Sequence, residues 1–483
     1  MARRPGTPAL ARLAALAVAA TLAACSSGSP SATGGRARAS TTTTAGGGSP
    51  GTSSTAPPSP AWLTYGGSFA RDSVDGADPA FTHAPQAAWT SPALDGPVYG
   101  EPLLYRGQVL VATENDTVYA LSAATGAVAW SVHLAAPVPA GMLPCGDITP
   151  TVGVTSTMVV DPASGSLFVS AALTSGGAVH HDVYGIDLAT HALLWTRDVD
   201  QPGWTAAAQL QRAALGLSAG HVIVGFGGNF GDCGAYNGWV VGVPESGTGP
   251  LLAYEVPTQR EGAIWAPGGV TVDAAGDVFV VTGNGSASAG QPFDHGNAVI
   301  ELSPALTERQ YFAPSDWAQD NEDDGDLGST SVMALGATQL FTVGKQQTAY
   351  LLQAATLGGI GGQVASLAVC PSLGANAYQA PDVYVVCTHQ GTIDQVVVGP
   401  GNHLARGWTW RSPTGTVGSP TIAGGVLWSV DIGASVLYGV DPATGATEFR
   451  LPLDTGTPPH FAAPSAAGGM LVVAGSSRVE AFR

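Results

Sequence analysis

The chain has 483 residues, with 66 glycines, 35 prolines and only 11% charged side chains. That composition suits many short strands and tight turns and excludes a bundle of long, charged surface helices. The formal net charge is −18, and no acidic residue precedes Asp72; a folded part this acidic repels phosphate backbones and speaks against nucleic acid as a partner.

Residues 1–25 read as an export signal. Arg3, Arg4 and Arg12 lead into an apolar run over 13–24, about half the length that spans a membrane. The run ends in Leu22-Ala23-Ala24-Cys25, followed by Ser26-Ser27. This resembles a bacterial lipobox, and the resemblance implies that the Cys25 thiol receives diacylglycerol and becomes the new N-terminus. The expected location is then outside the cell, anchored to the outer side of the cell membrane. Residues 26–60 are almost only Ser, Thr, Gly, Ala and Pro, which cannot bury apolar surface, so a disordered tether is expected. Its expected end-to-end distance is roughly 30–35 Å, and it should join the folded part beside Trp89.

From residue 61 the chain repeats itself. A small-residue turn followed by a β-branched or aromatic run appears at Arg106-Gly107-Gln108-Val109-Leu110-Val111 and at Ser164-Gly165-Ser166-Leu167-Phe168-Val169. It returns at Ala219-Gly220-His221-Val222-Ile223-Val224 and Ala275-Gly276-Asp277-Val278-Phe279-Val280, and further runs start at Leu340, Val383, Val426 and Met470. Each reads as a hairpin. A second unit follows the clearer copies: Val118-Tyr119-Ala120-Leu121-Ser122-Ala123-Ala124-Thr125-Gly126 leads to Trp130, and related segments lead to Trp195 and Phe449. The predicted aromatics fill the gaps between neighbouring repeats. The eighth copy stops at Arg483 without an outer strand, and Ala87-Ala88-Trp89-Thr90 supplies one. The expectation is an all-β, eight-bladed propeller of four-stranded antiparallel blades over 61–483, with N- and C-terminal strands sharing one blade, because an unclosed ring leaves open sheet edges.

The repeats resemble the quinoprotein-like propeller, the eight-bladed fold of quinone-dependent alcohol dehydrogenases and of the outer-membrane assembly lipoprotein. The Tyr-Ala-Leu-x-Ala-x-Thr-Gly-x-x-x-Trp core at 119–130 carries most of the likeness. Segments such as 143–148, 229–239 and 326–329 look like a quinone-binding-like subgroup.

In four-stranded blades the loops after strands two and four share one face. The long ones predicted here are 135–155, 174–182, 227–238, 258–268, 283–297 and 313–330, all in blades one to five. A ligand site is expected there, because rigid scaffolds carry function on loops. Trp204, Asn229, Asp232, Tyr236, Trp265 and His295 are the candidate ligand-binding residues. Four cysteines remain besides Cys25, and their blade positions predict Cys145–Cys233 and Cys370–Cys387.

Asp320, Glu322, Asp324 and Asp326 precede or flank Gly325 and offer hard oxygens suited to Ca²⁺, although an EF-hand-type loop would need Glu where Ser331 stands. A solvated acidic loop is the competing reading. His180-His181-Asp182 and Asp294-His295 could hold a transition metal or exchange protons, against the default of polar loop residues. The single lysine, Lys345, among sixteen arginines, reads as coding bias rather than chemistry. The resemblance implies a pyrroloquinoline quinone (PQQ) sandwiched between a Trp and adjacent cysteines, with Ca²⁺ near a catalytic Asp; this chain has no Cys-Cys pair. No catalytic residue is therefore assigned and PQQ is not expected. The favoured function is a binding or scaffold protein of the cell envelope, with an envelope protein or small ligand as partner. The alternative is a PQQ- or metal-dependent dehydrogenase.

Overall fold

Eight antiparallel β-sheets follow one another around a ring in a computed structural model that describes residues 61–483. The signal segment, Cys25 and the 26–60 tether lie outside the described residues. Blade 1 runs from Leu103–Tyr105 to Val128–His133, and blade 2 from Val159–Asp161 to Leu193–Asp198. Blades 3 to 7 begin at Gly216–Ser218, Thr271–Val272, Met333–Leu335, Ala377–Gln379 and Thr421–Ala423. Blade 8 takes three strands from Ser465–Phe482 and its fourth from Ala87–Thr90, which pairs antiparallel with Val479–Phe482. The ring therefore closes as the repeats predict. Blades 3, 4 and 7 each carry one extra short strand.

Burial explains the sequence pattern within a blade. Second and third strands are buried along both faces, as in Val426–Asp431 and Val436–Val440, because both faces meet neighbouring blades, and they are accordingly mostly apolar. Outer strands alternate, as in Val128–His133, where Trp130 is buried and its neighbours are exposed. The outer aromatics fill the inter-blade gaps in a repeated way. Trp89 donates its indole N–H to the Ala123 carbonyl of blade 1 at 3.0 Å. Trp195 donates to the Glu245 carbonyl of blade 3, and Trp408 to the Pro442 carbonyl of blade 7. Each ring covers a glycine of that turn, Gly126, Gly247 or Gly445, all with φ between +70° and +73°. The glycine permits the left-handed turn and leaves space for the ring.

The chain does not enter at Trp89, as expected from the sequence. Residues 62–78 first pass every blade in order. Trp62 bridges to Leu104, Leu63 accepts from Val160, Thr64 donates to Leu215, and Arg71 donates to Val270. Ala70, Asp72 and Ser73 then accept from Ala334, Tyr378 and Ile422, and the Asp78 carboxylate accepts from Gly469. This strap was not legible as a repeat because it is not one. Tyr65 sits in its middle and packs on Ala214, Ala375 and Ala463, from connections before blades 3, 6 and 8, so it blocks the ring axis.

Two smaller corrections concern loops. Residues 174–182 belong mostly to a long hairpin, Ser166–Ser175 and Ala178–Asp187, turning at Gly176-Gly177. Part of the 313–330 connection is a single helical turn and a half, Trp317–Glu322. Both cysteine pairs are joined, Cys145–Cys233 with Cα atoms 5.8 Å apart and Cys370–Cys387 at 5.6 Å.

Candidate functional site

The connections after strands two and four leave the ring on one face and wall a funnel of about 930 Å³. Such a volume is in the usual range for small-molecule sites. The long connections supply Asp147, the 228–232 segment, Tyr236, Glu261, Trp265, Asn284, Asp324 and Asp326. Short connections contribute as well: Tyr99, Lys345, Leu373, His389, His460 and Phe461 complete the wall. The site is therefore not confined to blades one to five.

Four of the six ligand-binding candidates meet there: Asn229, Asp232, Tyr236 and Trp265. Asn229 is buried and fixed by a bond from its amide to the Ala207 carbonyl at 2.9 Å. Tyr236 donates its hydroxyl to Asp232 at 2.5 Å, and burial pushes the phenol far above its usual range. The disulfide pins this segment, since Cys233 donates its backbone N–H to Cys145 Sγ and Gly231 lies against the same sulfur. Trp204 and His295 stand elsewhere. Trp204 packs edge-on against His181, Phe226 and Trp239 between blades 2 and 3. His295 lies against Phe293 and Tyr311, with Nδ1 3.1 Å from the Glu308 carboxylate. Both fill gaps between elements instead of facing the funnel.

The acidic run is also divided. Asp324 and Asp326 reach the funnel and share the Lys345 ammonium at 2.8 and 2.6 Å. Asp326 accepts in addition from the Asn284 backbone N–H at 2.7 Å, while the Asn284 amide donates to Asp324. Burial raises Asp326, against the pull of Lys345. For Lys345, burial would lower the ammonium, but Asp326 and Asp324 outweigh it and hold it high. Asp320 is mostly buried in the short helix, where burial and Asp316 push it up to about 7, and Glu322 is exposed. The four acids do not converge on one point, and among the described residues they form no cluster of metal-ligand spacing. A Ca²⁺ ion does not fit this run, because the Lys345 ammonium already bridges its two funnel carboxylates and Asp320 and Glu322 stand apart from them.

Lys345 and Arg212 line the funnel and were not among the candidates read from the sequence. Lys345 stands 5.8 Å from the Trp265 ring centroid. A lone lysine among arginines was the available signal: its compact ammonium meets both carboxylates as a single point charge. Arg212 is buried in the wall, donates to the carbonyls of Thr155 and His460, and lies over the rings of Tyr99 and Phe461. Among the described residues no carboxylate forms an ion pair with it. Burial lowers its guanidinium, and Glu114 opposes that.

Residues 86–356 match the family model described as outer membrane protein assembly factor BamB. No curated protein sequence matches the chain. The quinohemoprotein alcohol dehydrogenase of Comamonas testosteroni is similar in structure, with a TM-score of 0.66 and 15% identity over 88% of this chain and 80% of that one. BamB from Moraxella catarrhalis gives 0.56 and 12% over 83% and 99%. A europium-containing methanol dehydrogenase gives 0.64 and 14% over 86% and 90%. At these identities the likeness is one of fold.

Proposed function

This chain belongs to the family of the outer membrane protein assembly factor BamB, and on that premise we propose that it is an exported, lipid-anchored binding propeller of the cell envelope. Its ligand occupies the blind funnel. The observation that carries this reading is Arg212, a buried cation in the wall without a carboxylate partner among the described residues. A guanidinium so placed favours an anionic group, which it can hold through paired N–H bonds. Trp265, Tyr99 and Phe461 offer flat apolar contact beside it. A small molecule with an acidic group and a flat body suits these walls. The lipid on Cys25 keeps the propeller at the membrane, and Cys25→Ser should move the protein from the membrane fraction to the soluble one.

The ligand reading is tested on protein purified from its own membranes. Mass spectrometry of the denatured extract should find one co-purifying acidic compound. Trp265→Ala and Arg212→Gln should lose it, and Glu322→Gln should keep it. A funnel variant that retains the compound undiminished would remove the proposal. A protein held instead through the rim would be captured by a photo-crosslinker at Phe230, which is 71% exposed.

One observation favours a second reading, quinone-dependent oxidation. Trp265 presents a ring beside Lys345, and Asp326 on the same ammonium could accept a proton. Bound PQQ would supply the hydride-accepting quinone, and Trp265 and Lys345 would hold its ring and a carboxylate. The Ca²⁺ of such enzymes finds no fit at Asp320–Asp326. Adding PQQ should give a bound chromophore and dye reduction with alcohols if this reading holds; neither appears if the funnel only binds.

A further inference from the structure

Outside the funnel, on the same face, blade 2 gathers a second set of donors. His180 lies on the strand Ala178–Asp187, Asp198 ends the strand Leu193–Asp198, and Asp200 follows two residues on. We propose that His180, Asp198 and Asp200 form a binding site for a divalent transition-metal ion of the Zn²⁺ class, with a coordination position left open to water.

One donor atom from each of these residues lies within 4.8 Å of the others. Donors about 2.1 Å from a tetrahedral ion are about 3.4 Å apart, so a side-chain adjustment of about an ångström closes the set. One imidazole with two carboxylates suits Zn²⁺ or its close relatives better than Ca²⁺, which takes oxygens alone. His180 and Asp200 are half-buried and Asp198 is exposed, so an ion can enter from solvent.

The surroundings are built for a cation in two independent ways. Asp200 is held from behind by His181, which is fully buried. The His181 backbone N–H reaches Asp200 Oδ1 at 3.2 Å and its ring Nδ1 at 3.4 Å. His181 Nε2 has no partner, and the ring lies edge-on to Trp204 and Phe226. With Nε2 bare among aromatic rings, Nδ1 is the ring nitrogen that faces Asp200. This is the outer-shell contact that orients a ligating carboxylate. Second, Asp182 stands directly opposite Asp198 in the strand ladder. Like charges at opposed positions cost stability. Among the described residues, no Lys or Arg pairs with Asp182, Asp198 or Asp200. A dication supplies that counter-charge, taking the place between His180 Nδ1 and Asp200 Oδ2, which now lie 3.0 Å apart.

The test uses full-length, chelator-treated protein. It is titrated with Zn²⁺ by calorimetry and with Co²⁺ by visible absorption. The expected result is one equivalent bound and d–d bands of bound Co²⁺ that Zn²⁺ abolishes. His180→Ala and Asp200→Asn should each weaken binding at least about tenfold with unchanged circular dichroism, and Glu322→Gln should leave it unaltered. Absence of heat and of bands overturns the proposal. So does undiminished affinity in the double variant His180→Ala/Asp198→Asn, which would put the metal elsewhere.

Discussion

Glu114 and Asp116 carry their carboxyl groups into the ring interior with too few partners. Glu114 accepts from Gly153 N–H and Thr155 hydroxyl through one oxygen, and its other oxygen has none. Burial pushes it up to about 7; Glu101 rises to about 8 and Asp116 to about 9 for the same reason. A carboxyl whose folded value exceeds its unfolded one binds more protons folded than unfolded between the two. Stability therefore falls as pH rises through that window, from about 4 to about 9 for the three groups together. The carboxylates held low, Asp161, Asp187 and Asp441 among them, lose their contribution only below it. Thermal melts should thus give a higher midpoint near pH 5.5 than near pH 8. Glu114→Gln keeps an acceptor for Gly153 and removes the charge, so it should raise the midpoint near pH 8, change little near pH 5, and flatten the profile by on the order of 3 kcal/mol. An unchanged profile in that variant would show that Glu114 titrates normally. None of this was visible in the sequence, where Glu114 is one acid among many. Lys345 was visible as the one lysine, but its ion pairs were not, because Asp324 and Asp326 arrive from another blade.

At the scale of elements, the outer-strand tryptophans and the turns they cover act as one unit. Gly247 has φ +72°, and a Cβ there would come 2.3 Å from Trp195 Cγ. Gly165 has nearly the same φ, +71°, with nothing near its absent Cβ. Gly165→Ala should therefore cost only the left-handed backbone term, about 1 kcal/mol. Gly247→Ala adds overpacking against the indole and should cost at least about 1 kcal/mol more. Urea unfolding midpoints compare the two; equal costs would mean that the Trp195 ring moves aside freely. These contacts were legible because aromatic and glycine recur at fixed spacing in Thr125-Gly126 to Trp130 and Thr444-Gly445 to Phe449. The partner turn was not, since it belongs to the next blade. The His180–Asp200 cluster was half legible for the same reason: His180 and Asp182 stood out as a motif, while Asp198 and Asp200 join them only once the hairpin and outer strand pair.

At the scale of the molecule, eight blades and their seam followed from repetition, while the strap over 62–78 did not, having neither period nor motif. It changes how the ring should behave. A ring closed at one blade could open there first. Here Arg71, only 2% exposed, ties the strap to blades 3 and 4 through Leu215 and Val270 and to its own Thr64 and Tyr65. Every blade thus holds the strap through at least one hydrogen bond, and the seam in blade 8 cannot part without disturbing the axis. Native-state hydrogen exchange measures this directly. The amides of Val160, Ala334, Tyr378 and Ile422, which donate to strap carbonyls, should exchange as slowly as the second strands of their blades. Arg71→Met removes four donated bonds from a fully buried position and should cost about 3 kcal/mol, with exchange accelerated in blades 3 and 4 first. If those four amides exchange at the rate of the exposed loops while the second strands stay protected, the strap opens on its own and the funnel floor is a door, not a wall.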